Sequence, residues 1–558
     1  MIRRLFAVFA VVVLVAGCTS IPSQGDVVSA ELSAPTVSAG VDVLPPGPSA
    51  GATQDDILAG FIAAGAAAQD NYRVARSYLT QSQQAAWNPN ALTLIRSGEP
   101  DITATSGSEL RYEVPIAASV DELGQYLDSP GPSTQALDFR FVRESGEWRI
   151  SAAPDGIVLS EAGFQEAFDS YRVYYFSSGY RDLVADLRWF ASRGEVSSKI
   201  VRSLLAPPAF WLDQGATVSA FPAGTGLALT PIPVADGVAT VDLTSTVLSA
   251  DDTARARMLI QLNASLQQVQ GISSARISVN QNELVVPALG DQGPTLASGR
   301  DPRLVVLANR SFGFLQSGQL EEIEALSVEV ATLIPESIFY SQQFTEALLT
   351  RSDGLWRVGG VGEPTLLDAR EGLLRGIVDS CGYTWSTTSR ISADMINIFD
   401  SSGQATALGL ELGGESSLVS FELARDNTRL LLVIQSPSGV RALLTAVSRD
   451  DDCRPEAFSD FVELGVLPGD AIDAAWVDDA SVAVVAEDTL TRQAEVTVFD
   501  TGGRASSLGQ PARPKTLVGG VGGVSGLRLL SEEGIVYQPR GNGWQATNDR
   551  ASVLATQR

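Results

Sequence analysis

Hydrophobic residues follow two different rhythms in the first third of the chain. Over residues 54–79 they return every three to four positions, with Ile57 and Phe61 on one face, which predicts amphipathic helices. Over residues 110–151 apolar and polar residues alternate, which predicts strands, and a Ser-Gly turn inside that stretch predicts a hairpin. Helices followed by a curved sheet indicate an α+β domain over residues 54–165.

A second pattern of mixed type follows over residues 166–295. It begins with an apolar strand and an amphipathic helix over residues 197–205. The strand Val238–Leu243 then leads into a long helix over residues 252–269. Gly271 is expected to cap that helix, because glycine readily adopts the left-handed conformation found at helix ends. We therefore expect a second compact α+β domain.

The pattern changes again near residue 303, where short β-prone runs alternate with turns rich in Asp, Gly, Asn and Ser. Two similar turns, at Asp426 and Asp479, lie 53 residues apart, close to the roughly 40–50 residues of one four-stranded propeller blade. Residues 300–558 are long enough for five or six such blades. The sequence thus predicts an all-β C-terminal part, a β-propeller, and a pair of β-sandwiches is the alternative.

The N-terminus has the layout of an export signal. Arg3 and Arg4 precede an apolar run over residues 5–15, which is shorter than the roughly 20 residues that a membrane-spanning helix needs. The Ala-Gly-Cys sequence that ends at Cys18 resembles the lipobox of bacterial lipoproteins. That resemblance implies that residues 1–17 are a signal peptide and that the thiol of Cys18 carries a diacylglycerol. The alternatives are an ordinary secretory signal and a buried N-terminal helix.

Composition sharpens the picture of a tethered surface protein. Residues 18–53 are rich in Ser, Pro and Gly, which predicts a flexible tether. The chain has 65 acidic and 39 basic residues and a formal net charge of −26. Such a surface repels phosphate groups, so we expect no nucleic-acid partner and expect the lipid, not charge, to hold the protein at the membrane. Two acyl chains suffice for stable anchoring.

The chain has no histidine. This excludes Ser-His-Asp and Cys-His catalysis and histidine-ligated zinc. Beside Cys18 only Cys381 and Cys453 remain, too few for a cysteine metal site, so we expect no metal, no cofactor and no catalytic residue. An exported domain allows these two cysteines to pair in a disulfide, and two buried thiols are the alternative.

Three other groups of residues invite a functional interpretation. The acidic run 450–452 offers carboxylates to calcium but lacks the spacing of a known calcium loop, so a solvated turn is favoured. The glycine-rich stretch 519–526 fails the dinucleotide-binding register and has no following lysine, so we expect an inter-blade connection. Asp70, Tyr72 and Trp87 could line a pocket in the first domain, but ordinary positions in the core and on the surface are favoured.

The order of these parts resembles the LpqB family of actinobacterial lipoproteins. The middle domain is similar to the GerMN module in residues 183–190, 200–205 and 220–225. The last part is similar to the LpqB propeller in residues 304–309 and in the turn 425–429. The first domain resembles the cone-shaped nuclear-transport-factor-2-like (NTF2-like) fold.

The family resemblance implies a lipid-anchored accessory protein on the extracytoplasmic face of the cell membrane, and not an enzyme. Members associate with the extracellular region of the sensor histidine kinase MtrB, which acts on the response regulator MtrA. That two-component system bears on cell-wall homeostasis and division. The expected partner is therefore a sensor kinase of the MtrB type, and the alternative is a lipoprotein that captures a cell-wall fragment or another small ligand.

Overall fold

The computed structural model describes residues 45–290, 293–294, 301–316, 318–392, 395–412, 417–519 and 522–557. The expected signal peptide, Cys18 and most of the expected tether lie outside the described residues. Within the described part of the chain, no helix has both the length and the apolar character needed to cross a membrane.

The first domain packs helices on a curved sheet of six strands. Its elements are α1 (Gln54–Ala64), α2 (Gln69–Ser77), α3 (Gln81–Ala86), β1 (Leu92–Arg96), β2 (Asp101–Ser106), β3 (Glu109–Asp121), β4 (Tyr126–Glu144), β5 (Glu147–Ala152), β6 (Ile157–Ser160) and α4 (Glu161–Ala167). Thr53 and Asp56 form a capping box that starts α1, and Ile57 and Phe61 are buried as the periodicity predicts. The sheet order is β5-β4-β3-β1-β6, with β2 paired to β3. The predicted α+β domain is confirmed.

The middle domain has two small sheets with two helices. Its elements are β7 (Phe168–Ser177), β8 (Leu183–Ala191), α5 (Val196–Leu205), β9 (Thr217–Val218), β10 (Val234–Ala235), β11 (Val238–Leu243), a 3-10 helix (Ser245–Ser249), α6 (Asp252–Leu266), β12 (Ser274–Val279) and β13 (Asn282–Glu283). The sheets are β8-β7-β9 and β10-β11-β12-β13. The helix α6 packs on β7 and β12 and ends at Leu266, so the predicted cap Gly271 is wrong. Gly271 instead has a φ of 86° in the turn before β12.

A single hairpin joins the first two domains. The strands β7 and β8 pair along their whole length, from Phe168 opposite Ala191 to Phe176 opposite Leu183. Phe168 and Ala191 pack in the core of the first domain, whereas Phe176 packs in the core of the middle domain. One hairpin therefore contributes side chains to the cores of both domains.

Six blades make up the last part of the described chain, five with four strands and one, blade 4, with five. Blade 1 comprises β38 (Val553–Gln557), β14 (Leu304–Ala308), β15 (Ser311–Gln316) and β16 (Gln319–Glu322), followed by α7 (Ser327–Leu333). Blade 2 comprises β17 (Ser337–Ser341), β18 (Glu346–Arg351), β19 (Gly354–Gly359) and β20 (Thr365–Asp368); blade 3 comprises β21 (Ile377–Val378), β22 (Thr384–Ser386), β23 (Ile396–Phe399) and β24 (Ala405–Leu408). Blade 4 comprises β25 (Ser417–Leu423), β26 (Arg429–Ser436), β27 (Gly439–Arg449), β28 (Pro455–Phe458) and β29 (Val462–Leu467). Blade 5 comprises β30 (Asp470–Trp476), β31 (Ser481–Glu487), β32 (Ala494–Asp500) and β33 (Ala505–Ser507); blade 6 comprises β34 (Pro514–Val518), β35 (Arg528–Ser531), β36 (Ile535–Arg540) and β37 (Gly543–Arg550).

The last strand of the chain closes the ring of blades. The strand β38 pairs antiparallel with β14 and parallel with β17, so it is the innermost strand of blade 1. Inner strands of other neighbouring blades pack on each other, as β25 does on β30, β30 on β34, and β34 on β38. The propeller prediction is confirmed with six blades, and the sandwich alternative is wrong.

The turns that suggested a repeat occupy equivalent places. Asp426 lies between the first and second strands of blade 4, and Asp479 lies between the first and second strands of blade 5. The glycine-rich stretch 519–526 also lies between the first two strands of one blade, so the predicted inter-blade connection is wrong. Glycine is needed there because a Cβ on Gly519 would lie 2.5 Å from the carbonyl oxygen of Trp476 in the neighbouring blade.

Candidate functional site

The middle domain docks on the turns of blades 4 and 5. Three propeller turns contact it: 424–428 in blade 4, and 477–480 and 501–504 in blade 5. The first two are the repeated turns that the sequence analysis identified. We call this contact the docking seam.

Arg429 crosses the docking seam and is almost fully buried, with 1% of its side chain exposed. Its Nε donates to Oδ2 of Asp426 at 2.6 Å, and its Nη1 donates to the carbonyl oxygen of Ala185 in β8 at 3.0 Å. The guanidinium carbon lies 5.0 Å from the centre of the Trp476 ring. A buried ion pair is costly to break, because the remaining charge is left unpaired. This arginine therefore ties blades 4 and 5 to the middle domain.

A second group of polar contacts lies at the edge of the docking seam. Arg172 of β7 donates from Nε to Asp479 at 2.6 Å and from Nη2 to Asp478 at 3.3 Å. The hydroxyl of Tyr174 also donates to Asp479. Burial and the neighbouring Asp479 raise the pKa of Tyr174, so this phenol stays protonated and keeps donating.

Between these polar groups the docking seam is an apolar core. The middle domain and the propeller contribute buried side chains to one continuous cluster. Its members include Val184, Trp211, Leu212, Ala216, Leu431, Val433, Leu444, Trp476, Val482 and Val484. Shared cores of this kind are typical of obligate interfaces, so the two modules form one rigid body.

The two remaining cysteines lie beside the docking seam. The structure joins Cys381 of blade 3 and Cys453 of blade 4 in a disulfide with Cα atoms 6.3 Å apart. Next to it, the buried carboxylate of Asp379 accepts a hydrogen bond from Nη1 of Arg449 at 2.8 Å. The carbonyl oxygen of Arg449 in turn accepts a hydrogen bond from the hydroxyl of Ser178 in the middle domain at 3.2 Å. The disulfide thus braces turns that contact the middle domain.

The turn between β3 and β4 joins the first domain to the middle domain. The carbonyl oxygen of Leu123 accepts hydrogen bonds from Nη1 of Arg188 at 3.3 Å and from the hydroxyl of Ser203 at 2.8 Å. The carbonyl oxygen of Gly124 accepts one from the backbone of Trp189 at 2.8 Å. We call this contact the hairpin seam.

A carboxylate with a raised pKa lies near both seams. The pKa of Asp500 is raised to about 6, mainly by burial and in part by the neighbouring Asp478, whereas Arg504 and Arg172 oppose the shift. The guanidinium of Arg504 also lies 5.1 Å from the Trp189 ring of the middle domain. Protonation of Asp500 near pH 6 therefore changes the charge where the domains meet.

The propeller axis is closed by a buried arginine. Arg375 donates to Glu422 of blade 4 at 2.6 Å, to Asp473 of blade 5 at 2.8 Å, and to Thr556 of blade 1 at 2.9 Å. Blades 1 and 4 lie opposite each other in a ring of six, so a side chain that contacts both lies on the axis. The backbone N–H of Leu517 in blade 6 donates to the same Asp473 carboxylate at 2.9 Å. The cluster fills the centre of the ring at this level.

The candidate pocket residues of the first domain are only partly brought together. Trp87 lines an apolar cavity of about 220 Å³. Tyr72 packs edge-on against Trp87, with ring centres 6.1 Å apart, and does not line the cavity. Asp70 is exposed and pairs with Arg73 on the surface. Trp87 thus lines the pocket, whereas Tyr72 lies in the core and Asp70 on the surface, as the favoured interpretation predicted.

The acidic run 450–452 forms a turn. The carboxylate of Asp450 accepts the backbone N–H of Arg454 at 2.8 Å, and its carbonyl oxygen accepts the N–H of Cys453 at 2.9 Å. Among the described residues, no group of three or more acidic or cysteine side chains is placed to hold a metal ion.

The sequence analysis missed the axial cluster and the arginine of the docking seam. Glu422 and Asp473 each interrupt an apolar strand, and they lie 51 residues apart, almost one blade repeat. This recurrence of an acid inside a buried strand is the signal that marks the axis. Arg429 lies within the turn that carried the family resemblance, but its contact with Ala185 spans 244 positions and has no local signal.

Three family models match the chain in the order of its three domains. They are the N-terminal domain of lipoprotein LpqB over residues 47–165, the sporulation and spore germination (Germane) domain over 172–285, and the lipoprotein LpqB β-propeller domain over 341–553. Lipoprotein LpqB of Cutibacterium acnes is 28% identical over 575 residues, which cover 95% of this chain and 94% of that protein. Lipoprotein LpqB of Bifidobacterium longum is 26% identical over 73% of this chain and 72% of that protein.

One solved structure is similar to a part of the chain. It is the first GerMN domain of the sporulation protein GerM from Bacillus subtilis, with 15% identity and a TM-score of 0.18 over 23% of this chain and 94% of that one. The domain order and the family matches together define a multidomain lipoprotein that combines a GerMN domain with a β-propeller. The chain belongs to the LpqB family.

Proposed function

We propose that this chain is a non-enzymatic, lipid-anchored protein of the extracytoplasmic membrane face that binds the extracellular region of an MtrB-type sensor histidine kinase. The observation that supports it best is the docking seam, where Arg429 and a shared apolar core join the middle domain to the propeller. A rigid composite surface loses little conformational entropy on binding, which favours recognition of a protein partner.

The closed propeller axis supports the same proposal. The blades of a propeller surround a central channel, which admits a small ligand only where it is open. Here Arg375 and its two carboxylate partners occupy the axis, and 11% or less of each of these three side chains is exposed. The outer surfaces of the blades and the middle domain are then the natural binding surfaces for a protein.

The partner is tested by direct binding. Residues 45–558, which form one compact unit, are titrated in a calorimeter with the purified extracellular region of the kinase from the same organism. We expect a saturable isotherm with one molecule of each partner. The absence of saturable heat, with both proteins folded, would reject the kinase as partner.

The anchor is tested separately in intact cells. Cys18→Ala removes the thiol that would carry the lipid, so we expect the protein to leave the membrane fraction. Cys381→Ala is the matched control, since it removes a cysteine from the propeller and should leave the protein on the membrane. Retention of the Cys18→Ala protein in detergent-free membrane fractions would contradict the anchor.

A polar cleft in the middle domain favours a second candidate function, the capture of a cell-wall fragment. The cleft has a volume of about 710 Å³ and is lined by hydroxyl, amide and carboxylate groups, including Asp169, Glu195 and Gln268. Carboxylate, hydroxyl and amide groups together suit a polar ligand that carries an amino group, such as a peptidoglycan stem peptide. A thermal shift with soluble muropeptides that is lost in Glu195→Gln would support this candidate, and no shift at millimolar ligand would reject it.

A further inference from the structure

The apolar cavity of the first domain has no role in the proposed binding of a kinase. It lies between the end of α1 and the sheet, and its volume is about 220 Å³. Most of its lining is hydrocarbon. The apolar lining residues are Phe61, Ile62, Trp87, Leu92, Leu94, Leu137, Phe139, Pro154, Ile157 and Val158.

The polar atoms near this cavity are already engaged or face solvent. The indole Nε1 of Trp87 donates to the carbonyl oxygen of Pro154 at 3.1 Å. The carboxylate of Asp155 accepts the backbone N–H of Asn88 at 2.8 Å, and Gln135 is exposed. A sugar or a peptide would therefore enter with its polar groups unpaired, which is unfavourable. The cavity thus selects an apolar ligand.

We propose that this cavity binds the hydrocarbon tail of a single-chain amphiphile, such as a straight-chain fatty acid, and leaves the polar head in solvent beside Gln135. Apolar cavities of comparable size stay dry and take up apolar molecules. A volume of 220 Å³ is about seven times the ~30 Å³ that one water occupies in the liquid, so it has room for a chain of about eight carbons. The site is independent of the proposed kinase partner.

Chain length provides the sharpest test. Straight-chain fatty acids of six to fourteen carbons, each below its micelle concentration, are titrated into residues 45–558. Affinity should rise about fourfold with each methylene up to about eight carbons, because each buried methylene contributes a constant increment, and then level off. Affinity that does not depend on chain length, or no binding of any acid, would overturn the proposal. So would stronger binding of compact aromatic probes such as indole than of octanoate.

Matched variants locate the site. Leu137→Trp should fill the cavity from β4 and weaken octanoate binding at least tenfold, and Ile62→Trp should do the same from α1. Val142→Trp is the control, because Val142 lies on the same strand, is 43% exposed and does not line the cavity. All three proteins are compared by circular dichroism and melting temperature, so that loss of fold is separated from loss of binding. Unchanged octanoate affinity in a folded Leu137→Trp or Ile62→Trp protein would overturn the assignment.

Discussion

The docking seam and the hairpin seam join the same middle domain to its two neighbours in different ways. The docking seam buries a continuous apolar core and a buried ion pair between Arg429 and Asp426. At the hairpin seam one turn of the first domain offers the carbonyl oxygens of Leu123 and Gly124 to donors on the middle domain. The docking seam thus resembles a domain core, whereas the hairpin seam combines these hydrogen bonds with the packing of Trp189 and Ala191 in the core of the first domain.

This difference predicts that the two seams differ in stability. Apolar burial stabilises in proportion to area, so the docking seam makes the middle domain and the propeller one folding unit. The hairpin seam also buries apolar side chains, since Trp189 and Ala191 of β8 pack in the core of the first domain. They are fewer than the five side chains that the middle domain contributes to the docking seam, and each hydrogen bond adds little net free energy because it replaces one to water. The first domain is therefore the part of the described chain that separates from the rest most easily.

The largest expected effect is at Arg429. Arg429→Ala leaves Asp426 buried without its partner and removes the bond to Ala185, so unfolding should become easier by about 3–5 kcal/mol in urea titrations. The control is Arg441→Ala in the same blade, whose pair with Glu463 is more than a third exposed and contributes little. Equal losses in the two variants would mean that the docking seam is not held by this arginine.

The apolar part of the docking seam has a comparable but smaller expected effect. Leu212 is fully buried in the shared core, and Leu212→Ala should destabilise by about 2–4 kcal/mol and expose the propeller face to hydrogen exchange. Phe210→Ala, two residues away at a side chain that is 49% exposed, is the control and should cost much less. Exchange that stays unchanged on the strands of blades 4 and 5 would contradict a shared core.

At the hairpin seam, adding one methyl group at Gly124 should create a steric clash between the first and middle domains. Gly124 has a φ of 80°, and a Cβ there would lie 2.7 Å from the ring of Phe190 and 2.9 Å from the carbonyl oxygen of Trp189. Gly124→Ala should therefore loosen the first domain by about 1–3 kcal/mol while the docking seam stays protected. Gly146→Ala has a similar φ of 89° with no atom within 4 Å, so it carries the backbone cost alone. Limited proteolysis between the first and middle domains compares the two variants. Identical cleavage rates in Gly124→Ala and Gly146→Ala would exclude this steric effect.

The smallest expected effect depends on pH. The pKa of Asp500 is raised from 3.8 to about 6, so the folded protein holds a proton that the unfolded chain has released, and stability falls as pH rises from about 4 through 6. Asp500→Asn removes this charge and should be more stable than the natural protein at pH 7.5, with little difference at pH 4. Asp470→Asn, at an exposed carboxylate of the same blade, is the control. The urea midpoints of Asp500→Asn and of the natural protein are measured at pH 4 and at pH 7.5. A difference between the two proteins that is the same at both pH values would contradict this prediction.

Periodicity and repeat spacing in the sequence predicted most of the fold, but they predicted few of the contacts between the domains. The period of Ile57 and Phe61 predicted α1, and the spacing from Asp426 to Asp479 predicted the blades, because neighbours along the chain determine both. The closure by β38 joins residues more than 240 positions apart, and no local pattern carries it. The contact of Arg429 with Ala185 was not predicted for the same reason, because it joins residues 244 positions apart. In the first domain Trp87 lines the pocket, whereas Asp70 is exposed and pairs with Arg73.

The most direct test combines the two seams with the proposed function. The extracellular region of the kinase is titrated into residues 45–558 and into the Gly124→Ala variant, which loosens the first domain and keeps the docking seam intact. The account predicts saturable binding with the same Kd in both proteins, because the middle domain and the propeller together provide the binding surface. No saturable binding, or binding that is lost in Gly124→Ala, would contradict it.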